Sequence, residues 1–273
     1  MTDYRDVNRA NWDERVPAHV ASPSYHVAEF EKDPAYLSEV VRFDLPRLGD
    51  VSGLRAVHLQ CHIGTDTVSL ARLGARMSGL DFSQPAIEQA QSLADRLGLP
   101  VDFHVADVYD AVEVLGAASY DLVFTGIGAL GWLPDIQRWA DTVAGLLKPG
   151  GRLFIREGHP MLWALDSGPE DAVLKWPYFE TTEPIVWDEG GTYVETDVEF
   201  ATTVTHEWNH GLSEIITALQ RAGLIFDSLA EHDSAPWNAL PGLMTEDEAG
   251  EWRLTENPHR LPATYTLQAH RDR

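Results

Sequence analysis

One cysteine, Cys61, stands in 273 residues, so no disulfide can close within the chain and a reducing compartment is expected. No stretch approaches the roughly 18 uninterrupted apolar residues of a membrane span, so no membrane association is expected. The opening residues, MTDYRDVNRANWDERVPAH, lack the apolar run of a signal peptide, and the expected location is the cytoplasm. Positive charge is scarce: 20 Lys and Arg against 43 Asp and Glu leave a net charge of −23. Such a surface repels a phosphate backbone, and no nucleic-acid partner is expected. The patterns G-x-G-x-x-G and G-x-x-x-x-G-K-[ST] are both missing, which argues against a dinucleotide loop and a P-loop. Internal repeats and low-complexity segments are missing too. The length suits one large α/β domain with an elaboration, or two small domains.

The most informative stretch present runs from Ala56 to Asp81, AVHLQCHIGTDTVSLARLGARMSGLD. The apolar run Ala56 to Leu59 reads as a buried strand. Gln60, Cys61, His62, Ile63 and Gly64 form a tight segment that opens a helix with apolar positions at Val68, Leu70, Ala71 and Leu73. A break at Gly74 and Ala75 precedes a second strand ending in Asp81. This is the β-loop-α-β opening of a nucleotide-binding, Rossmann-like sheet with an acid at the tip of its second strand. A helix N-terminus offers free N–H groups and a partial positive charge. Gly64 has no Cβ, so a ligand can come close to the backbone. The Asp81 carboxylate can accept hydrogen bonds from the two hydroxyls of a ribose. An adenosine-containing ligand is therefore expected. Gln60 and His62 stand where a dinucleotide loop carries glycine, so NAD and FAD are disfavoured.

Strand and helix signals alternate on both sides of this stretch. Before it, Leu37, Val40, Val41 and Leu45 follow helical spacing, and Pro46 is expected to end that run. Trp12, His19, Tyr25, His26 and Phe30 lie in a segment with no clear periodicity. After it, Ser83 can cap a helix with Pro85 in its first turn and Gly98 as its stop. Strands VDFHVAD and YDLVFTG follow, then the helix DIQRWADTVAGLL, the turn KPGG and the strand RLFIRE. This alternation predicts a parallel sheet with helices on both faces. Residues 158–205 change character, with many aromatics and acids, and the β-branched run TYVETDVEFATTVT predicts an antiparallel insertion. A helix, LSEIITALQRAG, a strand, LIFDSLAEH, an irregular stretch over 233–260 and a last strand, ATYTLQAH, complete the chain.

These residues resemble the class I S-adenosylmethionine-dependent methyltransferases. The resemblance is carried by the loop 60–64, the acids Asp81 and Asp107, YDLVFTG at 120–126 and KPGG at 148–151. It extends over residues 50–160 and again over 211–270. One departure stands out: the family's first loop reads D-x-G-x-G-x-G, and here His58, Gln60 and His62 replace the acid and the first two glycines. The variant is similar to a bacterial subgroup with the pattern H-L-Q-C-H-x-G-x-D. The resemblance implies a seven-stranded sheet, mostly parallel, with an antiparallel last strand. Together with the helical pattern before the sheet and the change of character over 158–205, this divides the chain into an N-terminal helical cap over 1–50 and a methyltransferase domain over 51–273, with its insertion at about 158–205. The resemblance also implies S-adenosylmethionine as cofactor and S-adenosylhomocysteine as product. The methionine end would lie by Gln60, Cys61, His62, Gly64, Thr125 and Gly126. Asp81 and Phe82 would meet the ribose, and Asp107 and Val108 the adenine.

Methyl transfer is displacement at a sulfonium carbon, so a protein mainly positions and desolvates. A general base is needed only where the acceptor carries a proton, and His159, His206, His210 and Tyr25 are the candidates. His159 is the foremost of them, because it follows the fifth strand at the carboxyl end of the sheet. His206, Glu207 and His210 also match H-E-x-x-H, a zinc-protease pattern. That chemistry needs both histidines on one helical face, whereas here a strand-like run precedes the motif and Gly211 follows it, so no metal is expected. The expected activity is methyl transfer to a small molecule at O or N. The alternative is a cofactor-binding sensor or interaction module without transfer.

Overall fold

The computed structural model describes residues 3–168 and 170–273. Three helices come first, α1 (Tyr4–Ala21), α2 (Val27–Lys32) and α3 (Glu39–Leu48). Alternation follows: β1 (Arg55–Leu59), α4 (Thr65–Arg72), β2 (Arg76–Asp81), α5 (Gln84–Leu97), β3 (Asp102–Val105), α6 (Ala111–Leu115), β4 (Tyr120–Thr125), α7 (Ile136–Leu146) and β5 (Leu147–Gly158). Beyond β5 stand α8 (Pro160–Trp163) and the strands β6 (Leu165–Ser167), β7 (Ala172–Leu174), β8 (Ile185–Asp188) and β9 (Val204–Glu207). The chain closes with α9 (Leu212–Arg221), β10 (Leu224–His232), β11 (Met244–Glu246), β12 (Trp252–Leu254) and β13 (Thr264–Arg271). None of the described helices is long and apolar enough to cross a membrane.

Seven strands share one sheet in the order β10-β13-β5-β4-β1-β2-β3. β13 runs antiparallel to both of its neighbours, and β1 to β5 are parallel, as the resemblance implied. The parallel strands are apolar on both sides because helices cover both faces. Side chains alternate across the sheet, so Val57, Val123 and Leu153 pack beneath α7 and α9, while Ala56, Leu122 and Phe154 pack beneath α3, α4 and α5. Local signals set the helix ends. The Ser83 hydroxyl accepts the Ala86 N–H at 3.2 Å to start α5, and Gly98, at φ +65°, stops it.

Three expectations need correcting. Pro46 lies inside α3, and the stop is Gly49 at φ +69°. A proline in the last turn removes one hydrogen bond from a helix already near its end. The irregular stretch 233–260 contains the antiparallel pair β11–β12. Most of 192–205 is not strand; the antiparallel insertion consists of the pairs β6–β7 and β8–β9. Its extended backbone finds partners on the face of α1 instead. Glu14 accepts the N–H groups of Ala201 and Thr202 at 2.8 and 2.7 Å. Asn11 and Arg15 donate to the Thr202 carbonyl at 2.9 and 2.8 Å. Polar helix side chains thus do what a neighbouring strand would do, and β propensity alone does not reveal that substitution.

Candidate functional site

β1 has β2 on one side and β4 on the other, so the chain order reverses at its carboxyl end. In open α/β sheets ligands bind at such a switch point. The loop leaving β1 is held in an uncommon conformation: Gln60 and His62 have φ of +55° and +49° without being glycine. Gly64 has φ +80°, and a Cβ there would lie 2.7 Å from the Ala90 side chain, so both conformation and space demand glycine. Asp81 braces the loop from the tip of β2. Its carboxylate accepts the His62 N–H at 2.8 Å and the Ser83 N–H at 3.0 Å, and burial pushes its pKa up to about 6. The Cys61 thiol is buried beside Gly79, 3.9 Å from the His62 carbonyl.

Four polar atoms at this end of the sheet are buried with no partner: His58 Nε2, Gln60 Oε1, His62 Nδ1 and Thr125 Oγ1. Buried polar groups are otherwise almost always hydrogen-bonded, so such a concentration marks where a polar ligand completes the set. Gln60 uses its amide nitrogen to hold the Ala129 carbonyl at 2.8 Å, joining this loop to the one after β4. That second loop is clamped by Glu157 at the end of β5. Its carboxylate accepts N–H groups from Gly128 at 2.6 Å, Ala129 at 2.8 Å, Leu130 at 3.0 Å and Gly158 at 2.6 Å. On the far side of β2, Asp107 accepts the Tyr109 N–H at 2.9 Å and lies 3.8 Å from the Arg5 guanidinium, with Val108 buried beside it. Phe82 is half-buried next to Asp81.

Above the first loop sits a cluster of rings that sequence reasoning did not assemble. His19 Nδ1 stands 2.9 Å from His62 Nε2 and 3.3 Å from the Tyr193 hydroxyl, and Nε2 meets the Thr192 hydroxyl at 2.7 Å. Burial lowers the His19 pKa to about 4, so the ring is neutral at physiological pH. Trp12 packs on His62 and Trp132 with centroids 4.8 and 5.4 Å apart. Trp12 and His19 are seven residues apart on α1, two helical turns along one face, and that spacing was the available signal. Trp132 and Tyr193 reach the cluster from distant segments and carry no local signal.

Of the four candidate bases, the structure brings one to this loop. Tyr25 lies 5.4 Å from His62 by ring centroids and hydrogen-bonds Tyr193. His159 accepts the Met161 N–H on Nδ1 at 3.0 Å, so Nε2 carries the proton and donates to Glu231 at 3.0 Å. That leaves no free lone pair, and the residue caps α8. His210 pins the start of α9, with Nε2 2.7 Å from the Leu133 carbonyl and Nδ1 2.8 Å from Glu214. His206 lies on β9, its main chain paired with Asn8 of α1 at 2.8 Å.

H-E-x-x-H therefore straddles β9 and the segment before α9. Its glutamate has a different consequence. Burial raises the Glu207 pKa from 4.5 to about 7. A carboxyl whose folded pKa is raised contributes stability that is fully present below about pH 4.5 and is lost as pH rises through 7. Glu207→Gln is expected to remove that loss. Urea unfolding should find the variant gaining about 2–3 kcal/mol on wild type between pH 5 and 9; a constant difference across that range would refute the shift.

The family model for a methyltransferase domain matches residues 57–153, from β1 into β5. Over that span the chain is similar to methyltransferase domains. The ubiquinone biosynthesis O-methyltransferase of Xanthomonas axonopodis pv. citri is 32% identical over 154 residues, which are 50% of this chain and 63% of that protein. The chain thus spans under two thirds of that relative's length. An S-adenosylmethionine-dependent methyltransferase from Mesorhizobium loti shares the fold, with a TM-score of 0.59, 22% identity, and coverage of 85% of this chain and 95% of that one. So does the geranyl diphosphate C-methyltransferase of Streptomyces coelicolor A3(2), at TM-score 0.54 and 15% identity, covering 85% of this chain and 79% of that one. Similar methyltransferases thus differ in the atom they methylate, so the fold leaves the acceptor open.

Proposed function

We propose that this chain is an S-adenosylmethionine-dependent methyltransferase acting on a small-molecule acceptor at oxygen or nitrogen. One observation carries the reading: Asp81 and four unpartnered buried polar atoms meet at the switch point of a methyltransferase sheet. In this reading Gln60, Cys61, His62, Gly64, Thr125 and Gly126 hold the methionine end through main chain and side chain. Asp81 and Phe82 take the ribose, and Asp107 and Val108 the adenine. When bound, the cofactor supplies an electrophilic methyl group on a sulfonium. The chain's own task is to align an acceptor lone pair with that methyl and to exclude water, and such orientation supplies on the order of 7–11 kcal/mol. The α1 cluster closes the loop from above. Both nitrogens of the neutral His19 ring are engaged, by His62 and Thr192, so the ring fixes the cluster, and the Tyr25 and Tyr193 hydroxyls are the groups that can orient an O–H or N–H of the substrate. The net charge of −23 supports a non-nucleic-acid acceptor, and the lone cysteine supports a cytoplasmic location.

Calorimetric titration with S-adenosylmethionine, S-adenosylhomocysteine and NAD tests the reading. Micromolar binding of the first two is expected, weakened at least tenfold in Asp81→Ala. Ribose hydroxyls need the ionised carboxylate, and the Asp81 pKa lies at about 6. Affinity should therefore fall as pH drops below 6, by up to tenfold per unit, and Asp81→Asn should flatten that dependence. No binding at millimolar concentration would end the proposal. A second reading, binding without transfer, is supported by the tight packing of the cluster, whose His19 and Tyr193 centroids are 4.7 Å apart. Tight binding without turnover across a broad acceptor panel would favour it.

A further inference from the structure

We infer that Asp66, in the first turn of α4, holds the ammonium group of the cofactor's amino-acid end; the inference rests on the cofactor reading above. Position 58 is histidine, so the strand leading into the loop brings no carboxylate to this end of the sheet. The chain supplies one from the other side. A Cβ built on Gly126, just after β4, would lie 3.3 Å from Asp66 Oδ2 and 3.3 Å from His58 Nε2. Both side chains therefore converge on the space that glycine leaves open. His58 is 3% exposed, spends Nδ1 on the Thr67 hydroxyl at 2.9 Å and has no partner for Nε2. Among the described residues Asp66 forms no ion pair. Burial raises its pKa, opposed by a hydrogen bond with Ser38 and by the charge of Arg156, but that guanidinium is held by Glu251 at 3.0 Å and faces Asp44 at 3.9 Å.

A half-buried carboxylate beside a neutral imidazole and a bare glycine is a site for a small cation that donates hydrogen bonds. The cofactor carries two cationic centres. Its sulfonium has no N–H or O–H to offer, whereas its ammonium has three donors and suits a carboxylate with a ring nitrogen beside it. The cofactor's carboxylate would be repelled from the same point. Gly126 is kept small so that the ammonium can enter.

The test compares two ligands on the full chain by calorimetry. S-adenosylhomocysteine has the ammonium; 5′-methylthioadenosine keeps the adenosine and lacks the whole amino-acid end. Asp66→Asn is expected to weaken the first at least tenfold and to leave the second within about twofold. Gly126→Ala, whose added Cβ fills the contested space, should show the same selectivity and serves if Asp66→Asn does not fold. Equal losses for both ligands, or no loss for either, in the folded variants would overturn the inference while leaving the cofactor reading intact. If the wild-type chain binds neither ligand, the cofactor reading falls and this inference with it. Wild-type binding of 5′-methylthioadenosine as tight as that of S-adenosylhomocysteine would overturn the inference alone.

Discussion

Replacing Glu157 by leucine is expected to destabilise the protein by about 3–5 kcal/mol and to loosen the loop after β4. The Glu157 carboxylate is the acceptor for four backbone N–H groups, three of them consecutive from Gly128 to Leu130. Each donor left buried without an acceptor costs about 1–3 kcal/mol, and the total is limited only by how far the loop can open to water. Burial raises the carboxyl pKa while the four donors pull it down, so in the closed loop those N–H groups stand in for the water the carboxylate has lost. Glu157→Gln should cost less than leucine, about 2–3 kcal/mol, because the amide oxygen still accepts two of the N–H groups while its NH₂ faces the other two. Urea unfolding gives the energies, and amide exchange at 128–130 reports the loop. A cost under 1 kcal/mol with those amides still protected would show that the carboxylate does not organise the loop.

Arg156→Met is expected to cost about 3–5 kcal/mol for a different reason. Arg156 is adjacent to Glu157 on β5 but faces the other side of the sheet, fully buried over the Phe43 ring at 3.6 Å. It lies between the Glu251 carboxylate at 3.0 Å and Asp44 at 3.9 Å, so it ties α3 to the segment before β12. Its removal strands the buried Glu251 carboxylate and leaves Asp44 only its 3.4 Å pair with Arg47. Adding Glu251→Leu should recover more than half of the loss, since the stranded charge then disappears. The deficit of the single variant should also shrink in acid, where Asp44, whose carboxyl pKa burial raises, takes up a proton. A double variant no more stable than the single one would show that Arg156 acts through packing on Phe43 rather than through charge.

The two devices differ in what the sequence reveals about them. Neither Arg156 nor Glu157 carries a local signal; each sits in the strand RLFIRE, where apolar residues are the norm. Their partners lie far away in sequence: Glu251 is 95 residues from Arg156, and Ala129 is 28 from Glu157. The same holds for the histidines. His159 stands at the expected end of the sheet, but Glu231, 72 residues on, occupies its Nε2. His19, which had no clear assignment, reaches His62 across 43 residues.

By itself the sequence determined the parallel α/β frame, the bounds of α5, the start of α9, and the positions of Gly64 in the loop after the first strand and Asp81 at the tip of the second. Those features follow from apolar periodicity, caps and glycine stops, all of which act within a few residues. Only the tertiary structure decided that α1 serves as the hydrogen-bonding partner of the insertion. It alone set Asp66 opposite His58 across Gly126 and left four polar atoms unpartnered beside them. The physical reason is that a side chain's hydrogen-bond partner is chosen by the fold, and long-range proximity leaves no trace in local spacing.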